Sequence, residues 1–132
     1  MPRFAQLMKT SRPLLVIDAF QTGAAQEKRD RSHKHFLAFN KSDDAERVQD
    51  VLTALRWLTN TPKPPVVQIE AEGEAKLWAL LAAAVAETKV RLEVQMSELP
   101  QSDEELAEKF FVPGLQRAGG VEAALKVLSA PR

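Results

Sequence analysis

A tight turn between two apolar segments is the first place where this sequence could hold a reactive group. The turn reads Ala71-Glu72-Gly73-Glu74-Ala75. In the G-x-S-x-G motif, a turn of this kind lifts a serine nucleophile above a sheet, beside backbone N–H groups that stabilise an oxyanion. Gly73 would stand at the nucleophile position and has no side chain, and neither Glu72 nor Glu74 is a Ser or Cys. We therefore interpret the turn as the start of a helix, with carboxylates near its positive end, and predict no catalytic residue here.

Asp18 is a second candidate, because it lies at the end of a segment with the pattern of a buried strand. The carboxyl ends of such strands are where α/β proteins gather their binding sites. A carboxylate there can act as an acid or base, and it can equally cap the turn that follows. The sequence leaves both roles open. The residues that could line a site at these strand ends are Asp18, Gln21, Glu72 and Glu74.

A charged segment between residues 27 and 35 contains both histidines of the chain. His33 and His35 are two residues apart with Asp30 nearby, but a metal site needs further ligands that converge from elsewhere. The same segment holds four basic residues interrupted by acidic ones, namely Lys28, Arg29, Arg31 and Lys34. We favour a solvated charged loop and predict no metal site, no phosphate site and no nucleic-acid contact in it.

Composition narrows the class of protein further. The 132 residues suit one domain, and 18 basic residues balance 18 acidic ones, whereas nucleic-acid binders usually carry a basic excess. There is no cysteine, no Walker loop and no G-x-G-x-x-G motif, so we predict no cofactor. The start lacks the apolar run of a signal peptide, and the longest apolar run has about ten residues against the roughly 20 that span a bilayer. We expect a soluble, cytoplasmic protein without membrane contact, whose zero net charge does little to oppose self-association.

Apolar patterns predict strands that alternate with helices. Residues 13–20 are a continuous apolar run, typical of a strand covered on both faces, and residues 65–71 predict a second strand. Residues 90–95 alternate apolar and charged side chains, as a half-exposed edge strand does. A helix is predicted between Ser42 and Asn60, which are typical end residues. A second helix, over residues 74–87, is apolar nearly all round and should be buried or packed on a partner.

The remaining segments complete the predicted fold. Residues 3–9 predict one or two helical turns, residues 21–41 a long polar loop with a short ordered segment, and residues 101–129 a tail of two helices. We therefore predict one α/β domain over residues 1–132, with three α/β/α layers and a short, mainly parallel sheet. Its β-α-β-α-β core covers residues 13–96.

Aromatic residues favour packing over chemistry. Trp57 and Trp78 lie within predicted helices, where packing in the core or at an interface is the ordinary role of tryptophan. Residues 110–115 form a dense apolar patch before a turn. The patch could form a lid over a cleft, but we favour a segment that covers the sheet.

Four stretches of the sequence resemble the α/β-hydrolase superfamily, closest to its acetyl-xylan-esterase and dienelactone-hydrolase-like group. They are residues 14–23, 39–44, 47–55 and 73–84. The resemblance implies that residues 14–20 are the strand before the first long crossover, that residues 66–71 lead to the nucleophile turn, and that residues 74–87 are the helix behind it. It departs from the family at Gly73. It also places the family's oxyanion strand, which lies between the first two strands seen here, upstream of Met1, and the triad acid and histidine beyond Arg132.

Three functions follow as expectations. The first is a non-catalytic or truncated α/β-hydrolase-like protein that self-associates, as a dimer, by burying its apolar helix or pairing sheet edges. The second is a carboxylic-ester hydrolase that a longer parent or a partner chain completes. The third is a small-molecule-binding α/β module whose site is lined by the loop at 21–41 and by Asp18. We favour the first, without catalytic activity of its own.

Overall fold

The structure is a computed structural model that describes residues 2–131. Six α-helices lie within these residues: α1 (Pro2–Leu7), α2 (Phe36–Phe39), α3 (Asp43–Thr59), α4 (Ala75–Val85), α5 (Asp103–Lys109) and α6 (Gly120–Ser129). Strand β1 (Val67–Glu70) precedes α4, and strand β2 (Val90–Glu93) follows it. Single turns of 3-10 helix occupy Gly23–Ala25 and Met96–Glu98.

Strands β1 and β2, with α4 between them, form a β-α-β unit. The strands pair in parallel over their full length, from Val67 opposite Val90 to Glu70 opposite Glu93. Parallel neighbours cannot be joined by a tight hairpin, so a crossover is required, and α4 supplies it. Residues of β2 alternate between half-buried and exposed, as predicted for an edge strand. The protein is therefore a mixed α/β protein with several helices and a small parallel sheet.

Helix α4 lies at the centre of the packing, as its composition predicts. Every residue from Lys76 to Ala84 is buried, and Leu80 is fully enclosed. A helix that is apolar nearly all round needs neighbours on every side. Helices α3 and α6 pack against α4, and both strands contact it. The charge that α4 buries, at Lys76, is paired with Glu98.

Helix α3 begins and ends where the sequence predicts. The Ser42 hydroxyl accepts a hydrogen bond from the Ala45 N–H at 3.2 Å and thus caps the helix. Acidic side chains fill the first turn, where they favour the positive end of the helix dipole. Leu55 is buried, and Val48 and Val51 pack against the core.

The tail forms two helices, again as predicted. Ser102 caps α5 by accepting from the Glu105 N–H at 3.2 Å. Leu106 and Phe110 are buried in the main core together with Ala124 of α6. Phe111, directly after Phe110, is 49% exposed. The aromatic pair therefore has one side chain in the core and one at the surface.

The predicted strand at residues 13–20 is wrong. Residues 13–19 have no regular secondary structure, and the four apolar residues that we call the apolar run, Leu14, Leu15, Val16 and Ile17, are 40–62% exposed. A strand is held by hydrogen bonds to a neighbouring strand. Within residues 2–131 the sheet has two strands, β1 and β2, and the apolar run pairs with neither. A continuous apolar pattern indicates that side chains can be buried, but it does not show whether a neighbouring strand is present to pair with the backbone.

Replacing the two capping serines separates capping from tertiary contact. Ser42 also donates to the Phe111 carbonyl at 2.5 Å and is buried, whereas Ser102 is exposed and only caps. We expect Ser42→Ala to lower the free energy of unfolding by about 2 kcal/mol and Ser102→Ala by about 1 kcal/mol. Urea denaturation measures both values. Equal losses would show that the bond from Ser42 to Phe111 does not stabilise the fold.

Candidate functional site

A groove of about 650 Å³ separates the apolar run from strand β1. Helix α3 contributes Val51, Leu55 and Leu58 to its lining, and α4 contributes Trp78 and Ala79. Helix α1 also borders it. The groove is therefore mainly apolar, and it lies between the two segments that the sequence predicts as the first two strands.

Two continuous stretches of chain form the long walls of the groove. Residues 67–71 all line it consecutively, and so do residues 12–17 on the opposite side. Consecutive side chains of an extended chain point to opposite faces. A cavity that borders every successive residue is therefore in contact with the chain along its length and not with one face alone. One edge of β1 pairs with β2, and within the described residues its other edge has no strand beside it.

An ion pair joins α1 to β1 at the groove. The Arg3 guanidinium donates to Glu70 through Nε to Oε2 at 2.7 Å and through Nη2 to Oε1 at 3.2 Å. These hydrogen bonds and the charge of Glu70 raise the pKa of Arg3. Gln68 donates to the same carboxylate at 3.0 Å. The charge of Arg3 is thus neutralised at the wall of the groove.

The segment that follows the apolar run is fixed to α3. The Phe20 N–H donates to Asp50 Oδ2 at 2.7 Å, and Arg47 Nε donates to the Phe20 carbonyl at 2.9 Å. The Ala19 carbonyl accepts from the Thr22 N–H at 2.9 Å, which closes a turn. Helix α3 therefore fixes the chain at Phe20, three residues after Ile17, the last residue of the run.

Asp44 connects this anchor to the core and to the tail. Its Oδ1 accepts from Trp78 Nε1 at 3.2 Å and from Arg47 at 3.0 Å, and its Oδ2 accepts from the Phe111 N–H at 2.9 Å. The Arg47 guanidinium also lies 4.9 Å from the centre of the Trp78 ring, which adds a cation–π contact. The sequence does not single out Asp44. No local pattern indicated its three partners, because they come from distant parts of the chain.

The four predicted site-lining residues make local contacts and are not brought together. Asp18 accepts from the Ala24 N–H at 3.1 Å, so it makes the turn-capping contact. Gln21, at φ 58°, accepts from the Glu27 N–H at 3.1 Å. Glu72 and Glu74 are exposed. None of the four borders the groove.

Gly73 forms a turn in open space. Gly73 has φ 58°, in the left-handed region that favours glycine, and nothing lies within 4 Å of where a Cβ would stand. The predicted sharp turn is confirmed. It leads directly into α4, as expected for a glycine at the start of a helix.

Salt bridges and stacking occupy part of the charged segment. Arg29 lies between two aromatic rings, 5.1 Å from the centre of Phe20 and 4.7 Å from that of Phe36, and both Arg29 and Arg31 pair with Asp43. His33 lies 3.7 Å from Asp30 at the surface. The chain from residue 2 to residue 131 contains no group of three or more His, Cys, Asp or Glu side chains that could hold a metal ion. Over the same residues, no helix has the length and apolar character needed to cross a membrane.

The two tryptophans have different surroundings. Trp78 is 8% exposed and belongs to the core, whereas Trp57 on α3 is 70% exposed. Packing in the core is therefore confirmed for Trp78, and packing of Trp57 at an interface stays a prediction. The apolar patch at 110–115 places Phe110 in the core and does not border the groove. It covers the main core and forms no lid over this cavity.

A serine at position 73 tests whether the turn has any hidden catalytic surroundings. We expect Gly73→Ser to fold, to lose about 1–2 kcal/mol of stability through left-handed strain, and to show no ester hydrolysis. Among the described residues nothing lies within 4 Å of the Cβ position, so no base or orienting acid is placed to activate the serine. Gly114→Ser is the matched control, because Gly114 has φ 83° and equally open space. A chromogenic short-chain ester measures turnover. Hydrolysis by Gly73→Ser alone, blocked by a serine-directed inhibitor, would contradict the interpretation of the turn.

Comparison with known proteins identifies no family for the chain. No protein-family model, no curated protein and no solved structure matches the chain. The groove and the segments that line it are therefore the basis for a proposal on function.

Proposed function

We propose that this protein is a non-catalytic, α/β-hydrolase-like module that acts by self-association. The observation that carries the proposal is the apolar run, whose four side chains remain 40–62% exposed beside an unpaired strand edge. Exposed apolar patches and free strand edges are both typical of surfaces that bind another chain. Val66, directly before β1, is 83% exposed.

The energies indicate what the interface must contain. Burying the exposed half of each apolar side chain contributes about 1 kcal/mol, so the runs of two copies contribute about 8 kcal/mol. Association costs about 4–15 kcal/mol in lost translational, rotational and side-chain freedom. The runs alone therefore only offset that cost. A stable dimer needs the groove and the backbone edges as well.

Association would also account for the rest of the predicted fold. A run that gains a neighbouring backbone can become the strand that its sequence predicts. The sheet would then extend beyond β1, between helices, as the three-layer α/β/α architecture requires. The resemblance to α/β-hydrolases supports this, because in that family a further strand separates the two segments that form the walls of the groove.

A charge in the apolar run should abolish association. We expect the wild-type protein to be a dimer at micromolar concentration and Leu15→Glu to be a monomer, because a carboxylate cannot be buried unpaired at an apolar interface. Val127→Glu is the matched control, since Val127 on α6 is 44% exposed and Leu15 is 45% exposed. Multi-angle light scattering over a dilution series measures the mass.

Two results would contradict the proposal. One is a wild-type protein that is monomeric at every concentration. The other is a dimer that Leu15→Glu leaves intact. Circular dichroism of both variants confirms that any loss of mass reflects association and not unfolding.

Small-molecule binding is a second candidate function, which the size of the groove favours. Ligand sites commonly measure about 300–1,000 Å³ and are mostly apolar with a few polar groups. A volume of about 650 Å³ lies in that range. The site would differ from the one first expected, because Asp18 does not border it.

Thermal shift tests the second candidate with octanoate and octanol as probes. A ligand that binds only the folded state raises the melting temperature in proportion to its free-energy contribution. We expect Ala54→Phe, which narrows the groove, to remove any shift, and Ala107→Phe on the exposed face of α5 to keep it. No shift in the wild-type protein, or an equal shift in Ala54→Phe, would exclude the groove as the binding site.

A further inference from the structure

We propose that the groove is a slot for one β-strand and that its occupant is the apolar run of a second copy of this chain. The inference rests on the self-association proposed above and specifies its interface. Two copies related by a two-fold axis would each insert their run into the slot of the other. The product is one continuous sheet of six strands.

The first argument is that both walls lack backbone partners. Within the described chain, the apolar run makes no backbone hydrogen bond, and β1 has a strand on one side only. The run is exposed, and exposed N–H and C=O groups along an extended edge are a template for pairing with another chain. A strand in the slot would pair with the run on one side and with β1 on the other.

The second argument is that the run has the features of the strand that the slot lacks. It has four residues, as β1 has, and it contains Leu, Val and Ile side chains without a charge. Such residues favour strands, and their side chains would meet the apolar lining from α3 and α4. The wall charge of Arg3 is already neutralised by Glu70, and the chain has zero formal net charge.

The third argument is geometric closure. With primes for the partner copy, the strand order would be β2, β1, run′, run, β1′ and β2′. Each run then lies between the run and the β1 of the other copy, and the same order holds for both copies. A closed two-fold arrangement ends at a dimer and does not continue into a filament.

No unfolding is required to reach this arrangement. The run remains a wall of its own slot, held by Asp50 and Arg47 through Phe20. The outer strand β2 presents exposed Arg91 and Glu93, and charged side chains on a short edge strand oppose the addition of further copies. The dimer would therefore be the end state.

A cysteine scan tests the interface directly, because the chain has no cysteine and any disulfide must join two copies. Single substitutions Leu14→Cys, Leu15→Cys, Val16→Cys and Ile17→Cys are oxidised mildly, with Val127→Cys as the control. Leu14 and Val127 are exposed to the same degree, 43% and 44%. We expect at least one run position to cross-link roughly tenfold faster than the control, since only residues facing their copy reach the Cα–Cα distance of about 4.4–6.8 Å that a disulfide needs.

A proline substitution in the run tests whether the interface depends on backbone hydrogen bonds. Val16→Pro removes one N–H donor in a segment without regular structure, so the monomer should fold, as circular dichroism will show, while the dimer is lost. Ser11→Pro, outside the run, should leave the dimer intact.

The outcomes separate the two proposals. A monomeric wild-type protein overturns both. Insertion of each run into the slot of the other copy is contradicted by a dimer whose run positions cross-link no faster than Val127→Cys, or by a dimer that Val16→Pro leaves intact. Self-association itself is not contradicted by either result. Fast cross-linking within the run, together with loss of the dimer in Val16→Pro, supports insertion of the runs.

Discussion

The structure depends on the burial of one helix. Helix α4 is apolar on nearly every side, so no single neighbour can cover it, and the chain surrounds it with α3, α6 and the two strands. The position of β1 and β2 follows from the same constraint, because α4 is the crossover between them and packs on both. A pair of four-residue strands is marginal in isolation. Packing against the helix therefore supplies stability that the two short strands lack by themselves.

Polar side chains then fix the outer segments to this core. Asp44 is the main connection, since it binds Trp78 of α4, Arg47 of its own helix and the backbone of Phe111 in the tail. Each of these partners donates a hydrogen bond to a single carboxylate, and bonds to a charged acceptor are stronger than neutral ones. Arg47 also donates a hydrogen bond to the carbonyl of Phe20, three residues after the apolar run. One side of the groove is thus held by charge-assisted contacts that begin at the start of α3.

The helices could be predicted from the sequence because their signals are local. Ser42 and Ser102 supply caps within three residues of the N–H groups they bind, and the period of apolar residues marks the buried face. The strands β1 and β2 form as their patterns predict, because α4 brings the two segments together to pair. The segment at 13–20 has an equally good strand pattern, but a strand also needs a neighbouring backbone, which composition does not reveal. For the same reason the groove, the ion pair of Arg3 with Glu70 and the contacts of Asp44 could not be predicted, since each joins residues far apart in sequence.

The disagreement at the apolar run is itself informative. In a self-consistent fold, local preference and tertiary structure agree, and departures concentrate where a protein functions. Here the local preference is for a strand, and the described chain offers Leu14, Leu15, Val16 and Ile17 no partner and little cover. The opposite wall has the complementary deficit, because β1 has an edge without a neighbour. Two deficits of the same kind, facing one groove of about 650 Å³, are more simply explained by one missing strand than by two independent defects.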